Sequence, residues 1–148
     1  MNANHRSLNL VMGSGSLYAA SSGPYLAVKD LAYTMGQLVH AVALVGTRDH
    51  WSDPQPMGYG LARTFAFRQV GPYSLHYAPG QGRWLDRGEV PADVVSLCGL
   101  WLHSNHRLAR WATKNRMPYL ITPSGKIHRF TEKPARAVRL GIESWHAR

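Results

Sequence analysis

The stretch Asp93-Val94-Val95-Ser96-Leu97-Cys98-Gly99-Leu100-Trp101 constrains the fold of this 148-residue chain more than any other. Its apolar and small residues run on without alternating with charge, its centre is β-branched, and Gly99 closes it. A strand of that composition is buried on both faces, as in parallel sheets covered by helices on each side. Ligands of open α/β sheets bind just beyond the carboxyl ends of such strands, so Cys98, Gly99 and Trp101 are expected at the lip of a crevice. Ser96 shares a strand face with Cys98 and is expected to be buried.

The remaining chain reads as β and α segments in alternation. Leu8–Met12 is a short first strand, and Gly13 to Gly23 a loop of small residues. Pro24 suits a first helical position, and Leu26, Val28, Leu31, Ala32, Met35 and Leu38 then recur at helical spacing to an end near Gly36–Gln37. Ala41–Val45 is the second strand. Pro54, Pro56, Gly58 and Gly60 mark a loop from Thr47 to Gly60. Thr64–Val70 and Tyr73–Tyr77 are aromatic strands split by Gly71-Pro72, and Arg83–Arg87 holds a turn or two of helix. After the central strand, Ser104 or Asn105 can cap a helix to about Asn115 with Leu108, Trp111 and Ala112 inward. Tyr119–Thr122 is a last strand, and a basic helix covers Lys133–Trp145. The expected architecture is α/β: one Rossmann-like domain over residues 1–148, a mostly parallel sheet of about six strands with helices on both faces.

Charge is unevenly placed. Residues 1–100 hold seven Lys/Arg and six Asp/Glu, whereas residues 101–148 hold ten against Glu132 and Glu143, a net +8 in the last third. Arg107, Arg110, Lys114, Arg116, Lys126, Lys133, Arg129, Arg136 and Arg139 are therefore candidates for an anion or membrane surface, with a plain solvated face as the alternative. Nucleic acid would share that charge, but no binding fold or interleaved aromatic surface accompanies it. No window of eighteen apolar residues exists to span a bilayer. Gly13-Ser14-Gly15-Ser16 interrupts the apolar run Leu8–Met12 before it reaches the length of a signal-peptide core. A lone cysteine excludes an internal disulfide and fits a reducing cytoplasm.

Four segments together resemble the N-terminal domain of family-4-like, retaining GT-B glycosyltransferases of the bacterial surface-polysaccharide type. They are Ser21-Ser22-Gly23-Pro24-Tyr25-Leu26-Ala27-Val28, then Val42–Val45, then Asp93 to Trp101 with Ser104-Asn105, then Arg116-Met117-Pro118-Tyr119-Leu120-Ile121-Thr122-Pro123-Ser124-Gly125. Their order and spacing match over roughly residues 8–126. The family shows His-Leu-His-Gly in its central strand; Ser96 and Cys98 replace those histidines here. The family's Ser-Pro-Arg-Gly-Met is Thr122-Pro123-Ser124-Gly125-Lys126, so an arginine that could meet phosphate is absent there.

The resemblance implies the acceptor-side half of a transferase that moves a sugar from a nucleotide-sugar to a polysaccharide or lipid-linked acceptor. The donor-binding domain with the family's paired glutamates is expected to lie outside these residues. This half is therefore expected to be inactive alone, to self-associate or need a partner chain, and to meet nucleotide-sugar and glycan only with that second domain. A non-catalytic module binding an anionic membrane or a partner protein is the alternative. The expected location is cytoplasmic, peripheral at the inner membrane. Candidate substrate or phosphate contacts are Ser22, Gly23, Pro24, Cys98, Gly99, Trp101, Ser124 and Gly125. A loop at a helix start offers free N–H groups to phosphate, against the alternative of an ordinary βα turn. Trp101 could stack on a sugar or plug the top of the sheet. Cys98, among apolar neighbours, reads as buried filling rather than an activated thiolate. His103 and His106 lack a third ligand at fixed spacing, so neither a metal nor a cofactor is expected.

Overall fold

The structure, a computed structural model, describes residues 8–17, 23–38, 41–48 and 62–123. In these, five strands form one parallel sheet: β1 (Asn9–Ser16), β2 (Ala41–Arg48), β3 (Ala62–Arg68), β4 (Val94–Cys98) and β5 (Tyr119–Thr122). Their spatial order is β3-β2-β1-β4-β5. The helices are α1 (Gly23–Leu38), α2 (Pro79–Asp86) and α3 (His103–Lys114). The expected α/β, Rossmann-like arrangement is present, with five strands in the described residues where about six were expected.

Side chains alternate across each strand and so feed two cores. Leu10, Met12, Val42, Leu44, Ala62 and Cys98 meet Val28 and Ala32 of α1 on one face. Val11, Val45, Val95 and Leu97 meet Trp84 and Leu85 of α2 and Leu108, Ala109 and Ala112 of α3 on the other. Phe65 and Phe67 of β3 pack on Trp84 at centroid distances of 4.7 and 5.3 Å. The Asp93 carboxylate accepts from both the backbone N–H and the side-chain amide of Asn9, at 2.7 and 2.9 Å. That clasp ties the start of β4 to the start of β1.

Several element boundaries differ from the sequence reading. β1 continues through Gly13-Ser14-Gly15-Ser16 instead of turning into a loop. A Cβ on Gly13 would lie 2.6 Å from Leu108 Cδ1 and 2.7 Å from Asn105 Oδ1, so α3 sits where a side chain would stand. β2 likewise runs on through Gly46, against which Leu17 and the Gly15 carbonyl pack. Tyr73–Tyr77 is no strand: Tyr73–Leu75 form one 3-10 turn, and the Val70 N–H donates to the Tyr77 carbonyl at 2.8 Å, folding the segment back on itself. α2 begins at Pro79, ahead of the expected Arg83, because proline is accepted at a first helical position. Trp111, expected inside, is half-buried at the margin of the second core. The expected helix at Lys133–Trp145 lies outside the described residues.

Candidate functional site

β1 is flanked by β2 on one side and β4 on the other, so the chain's direction of travel across the sheet reverses beside it. Helices leaving adjacent strands at such a switch diverge to opposite faces, which opens a crevice at the carboxyl ends of the strands. Here the crevice lies between Gly13–Ser16 of β1 and Cys98–Trp101 after β4. Gly23 and Pro24 are the first two residues of α1, and His103 opens α3. Both helices start at this edge.

The edge is built from buried polar side chains. Asn105 donates through its amide to the carbonyls of Cys98 and Gly99, both at 2.9 Å. Ser104 Oγ donates to the Ser14 carbonyl at 3.3 Å, and Gln81 Nε2 donates to the Ser104 carbonyl at 3.0 Å. Neither Ser104 nor Asn105 is the cap expected of it: the N-cap is Leu102, without a side-chain bond, and both polar side chains bridge to strand ends instead. Thr47, fully buried at the end of β2, holds its hydroxyl 3.0 Å from His76 Nδ1 and 3.3 Å from the Gly15 carbonyl. A proton on Nδ1 donated to Thr47 leaves the hydroxyl free to donate to Gly15. The edge of the His76 ring covers Gly15, where a Cβ would come within 3.2 Å of Cε1.

Backbone geometry at this edge is unusual. The β1–β2 register slips by one residue, from Gly13 opposite Val45 to Ser16 opposite Thr47. Such irregularities bend a strand and re-aim its side chains. Gly99 has φ 97° and Trp101 φ 64°, the latter in a region that bulky L-residues seldom enter. The two carbonyl bonds from Asn105 hold this turn in place.

The residues singled out from the sequence are partly brought together. Cys98, Gly99 and Trp101 sit at the crevice, with Cys98 buried in the α1 core and Trp101 half-buried. Burial pushes the Cys98 thiol above its ordinary value, and a hydrogen bond with Ser96 opposes that in part. The sulfur packs among the apolar side chains of the α1 core. Burial, and secondarily Arg107, lowers His103 below the usual imidazole range. The ring of Tyr77 meets His103 edge-on at 4.7 Å, and its buried Nδ1 has no hydrogen-bond partner. Buried Ser16 Oγ and Asn105 Oδ1 also have none. Ser22, Ser124, Gly125, Lys126, Arg129, Lys133, Arg136 and Arg139 lie outside the described residues. Among the described residues, no group of three His, Cys, Asp or Glu could hold a metal ion, and no helix is long and apolar enough to cross a membrane.

Sequence reasoning passed over Thr47, His76 and Gln81. Thr47 and Gln81 are isolated polar residues with no motif around them, and His76 lies in a segment read as a strand. The one available signal was Ser104-Asn105, which local spacing assigned to the helix start. Comparison with protein-family models and with curated proteins found no match to the chain.

Proposed function

We propose that the chain is the acceptor-side half of a sugar transferase, inactive by itself. The observation that carries this reading is the polar crevice at the β1/β4 switch point, with half-buried Trp101 after β4, buried and unpartnered Ser16 Oγ at the end of β1, and buried and unpartnered His103 Nδ1 at the start of α3. A half-exposed aromatic ring beside hydroxyl-type donors and acceptors suits a sugar, which offers an apolar face and a ring of hydroxyls. Two of the segments that resemble GT-B enzymes hold β4 and β5, which pair in parallel on the β4 side of the crevice. Positioning an acceptor hydroxyl needs no acid–base pair on this half.

Saturation-transfer NMR against a panel of hexose-containing oligosaccharides tests the reading. Contact signals should appear with the natural chain, vanish in Trp101→Ala, and persist in Arg68→Gln on β3. The chain alone should turn over no nucleotide-sugar. Absence of any glycan contact, or turnover by the isolated chain, overturns the proposal.

A second reading, attachment to an anionic membrane, draws support from Arg107, Arg110 and Lys114, which border one groove on the flank of α3. Sedimentation with phosphatidylglycerol vesicles at low salt, lost as salt rises, is the expected behaviour.

A further inference from the structure

A groove of about 330 Å³ runs between α2 and α3. It is lined by Leu85 and Asp86 from α2 and by Arg107, Arg110, Trp111 and Lys114 from α3. Helical rise puts Lys114 about 16 Å along α3 from His103, so the groove extends away from the crevice toward the opposite edge of the sheet. Its near end, at Arg107, lies one helical turn beyond His103, and its far end at Lys114 is remote from the crevice.

Its most specific feature is the seat of Arg107. The guanidinium lies against Gly82, so close that a Cβ there would collide with Nη2. Glycine inside a helix costs about 0.5–1 kcal/mol relative to alanine, and α2 carries that cost at the one buried position facing Arg107. The arginine is half-buried, yet among the described residues no carboxylate or carbonyl accepts from it. Asp86, which shares the groove, forms no ion pair with it. A planar fork of five donors is thus held in a concave, partly desolvated setting without an acceptor. Lys114 adds a mobile point charge at one end, and Trp111 provides an aromatic wall.

We propose that this groove binds a phosphate monoester or diphosphate group. Arg107 and Lys114 outnumber the one carboxylate of the lining, Asp86, which suits a phosphate monoester or a diphosphate. Arginine engages phosphate oxygens through paired N–H donors, and the volume admits a phosphate with a small planar or ring-shaped substituent against Trp111. Asp86 disfavours a more highly charged polyanion lying along the whole groove. The proposal does not depend on the transferase reading, because it concerns other residues and is read out by a different ligand.

The test is calorimetric titration of the full chain with inorganic pyrophosphate at low salt. One saturable site per chain is expected. Arg107→Gln should weaken it by about ten- to a hundred-fold, as loss of a charged hydrogen bond does. Lys114→Gln, at an exposed position where folding is unaffected, should weaken it several-fold, and Arg68→Gln should leave it unchanged. Thermal melts of each variant confirm folding. No saturable binding, or equal weakening by Arg68→Gln, overturns the proposal. Vesicles then separate the two sources of the phosphate. Sedimentation with phosphatidic acid vesicles that pyrophosphate reverses identifies a lipid monoester, and pyrophosphate binding without sedimentation identifies a soluble ligand; both support the site. Equal sedimentation with phosphatidic acid and phosphatidylglycerol, unaffected by pyrophosphate, means a diffuse basic face and overturns it.

Discussion

At the scale of single residues, Asn105 and Gly13 form a lock between α3 and the switch point. Asn105→Leu leaves two carbonyls at the end of β4 without their donor, and Gly13→Ala drives a methyl into Leu108 and Asn105. Each should lower stability by about 1–3 kcal/mol in chemical denaturation. A double variant should lose less than the sum, since the two share one contact. Cys98 makes a prediction about pH. Its folded thiol holds its proton to higher pH than in the unfolded chain, because burial disfavours the thiolate. The stability this contributes is complete below the unfolded thiol's titration and falls as pH rises through it toward the folded value. Denaturation midpoints of the natural chain should therefore drop more from neutral to strongly alkaline pH than those of Cys98→Ala. Parallel curves would show that the thiol is not shielded.

At the scale of elements, α2 is the weakest helix by composition and the most improvable. A Cβ at Gly80 would meet only Phe67 Cδ1, at an ordinary 3.6 Å. Gly80→Ala should stabilise by about 0.4–1 kcal/mol through the unfolded chain's lost freedom, seen as a raised melting temperature. The same helix shows why some elements were legible in the sequence and others not. α1 and α3 announce themselves because their apolar residues recur on one face. α2, with Pro79, Gly80 and Gly82 in its first half, has no such signal, and of its glycines Gly82 leaves room for the Arg107 guanidinium opposite it. β1 ran past its expected end for the same kind of reason: Gly13 and Gly15 look like loop residues until Leu108, Asn105 and His76 are seen to occupy the space above them. β4 was readable because burial on both faces writes itself as an unbroken apolar run. The crevice was readable to the extent that it follows from β4. Its polar lining was not, since Thr47, His76, Gln81 and Asn105 come from four segments that only the tertiary fold assembles.

At the scale of the whole molecule, the two margins of the sheet are unlike. Trp84 covers the β3 side, whereas on β5 Tyr119, Leu120 and Ile121 remain 39%, 50% and 44% exposed. Among the described residues no strand pairs beyond β5, and apolar side chains at such an edge favour association between molecules. Leu120→Lys should reduce concentration-dependent association in sedimentation velocity while changing stability by no more than about 0.5 kcal/mol. The inner margin carries a different consequence. β1 is completed on one side only when β4 arrives, and the clasp between Asn9 and Asp93 joins residues 84 apart. A ribosome working at about 5–20 residues per second needs roughly 4–17 s to make that span. For those seconds the strand destined for the middle of the sheet is an open edge on a nascent chain. Early synthesis is thus the interval in which that edge is open to pairing with another chain.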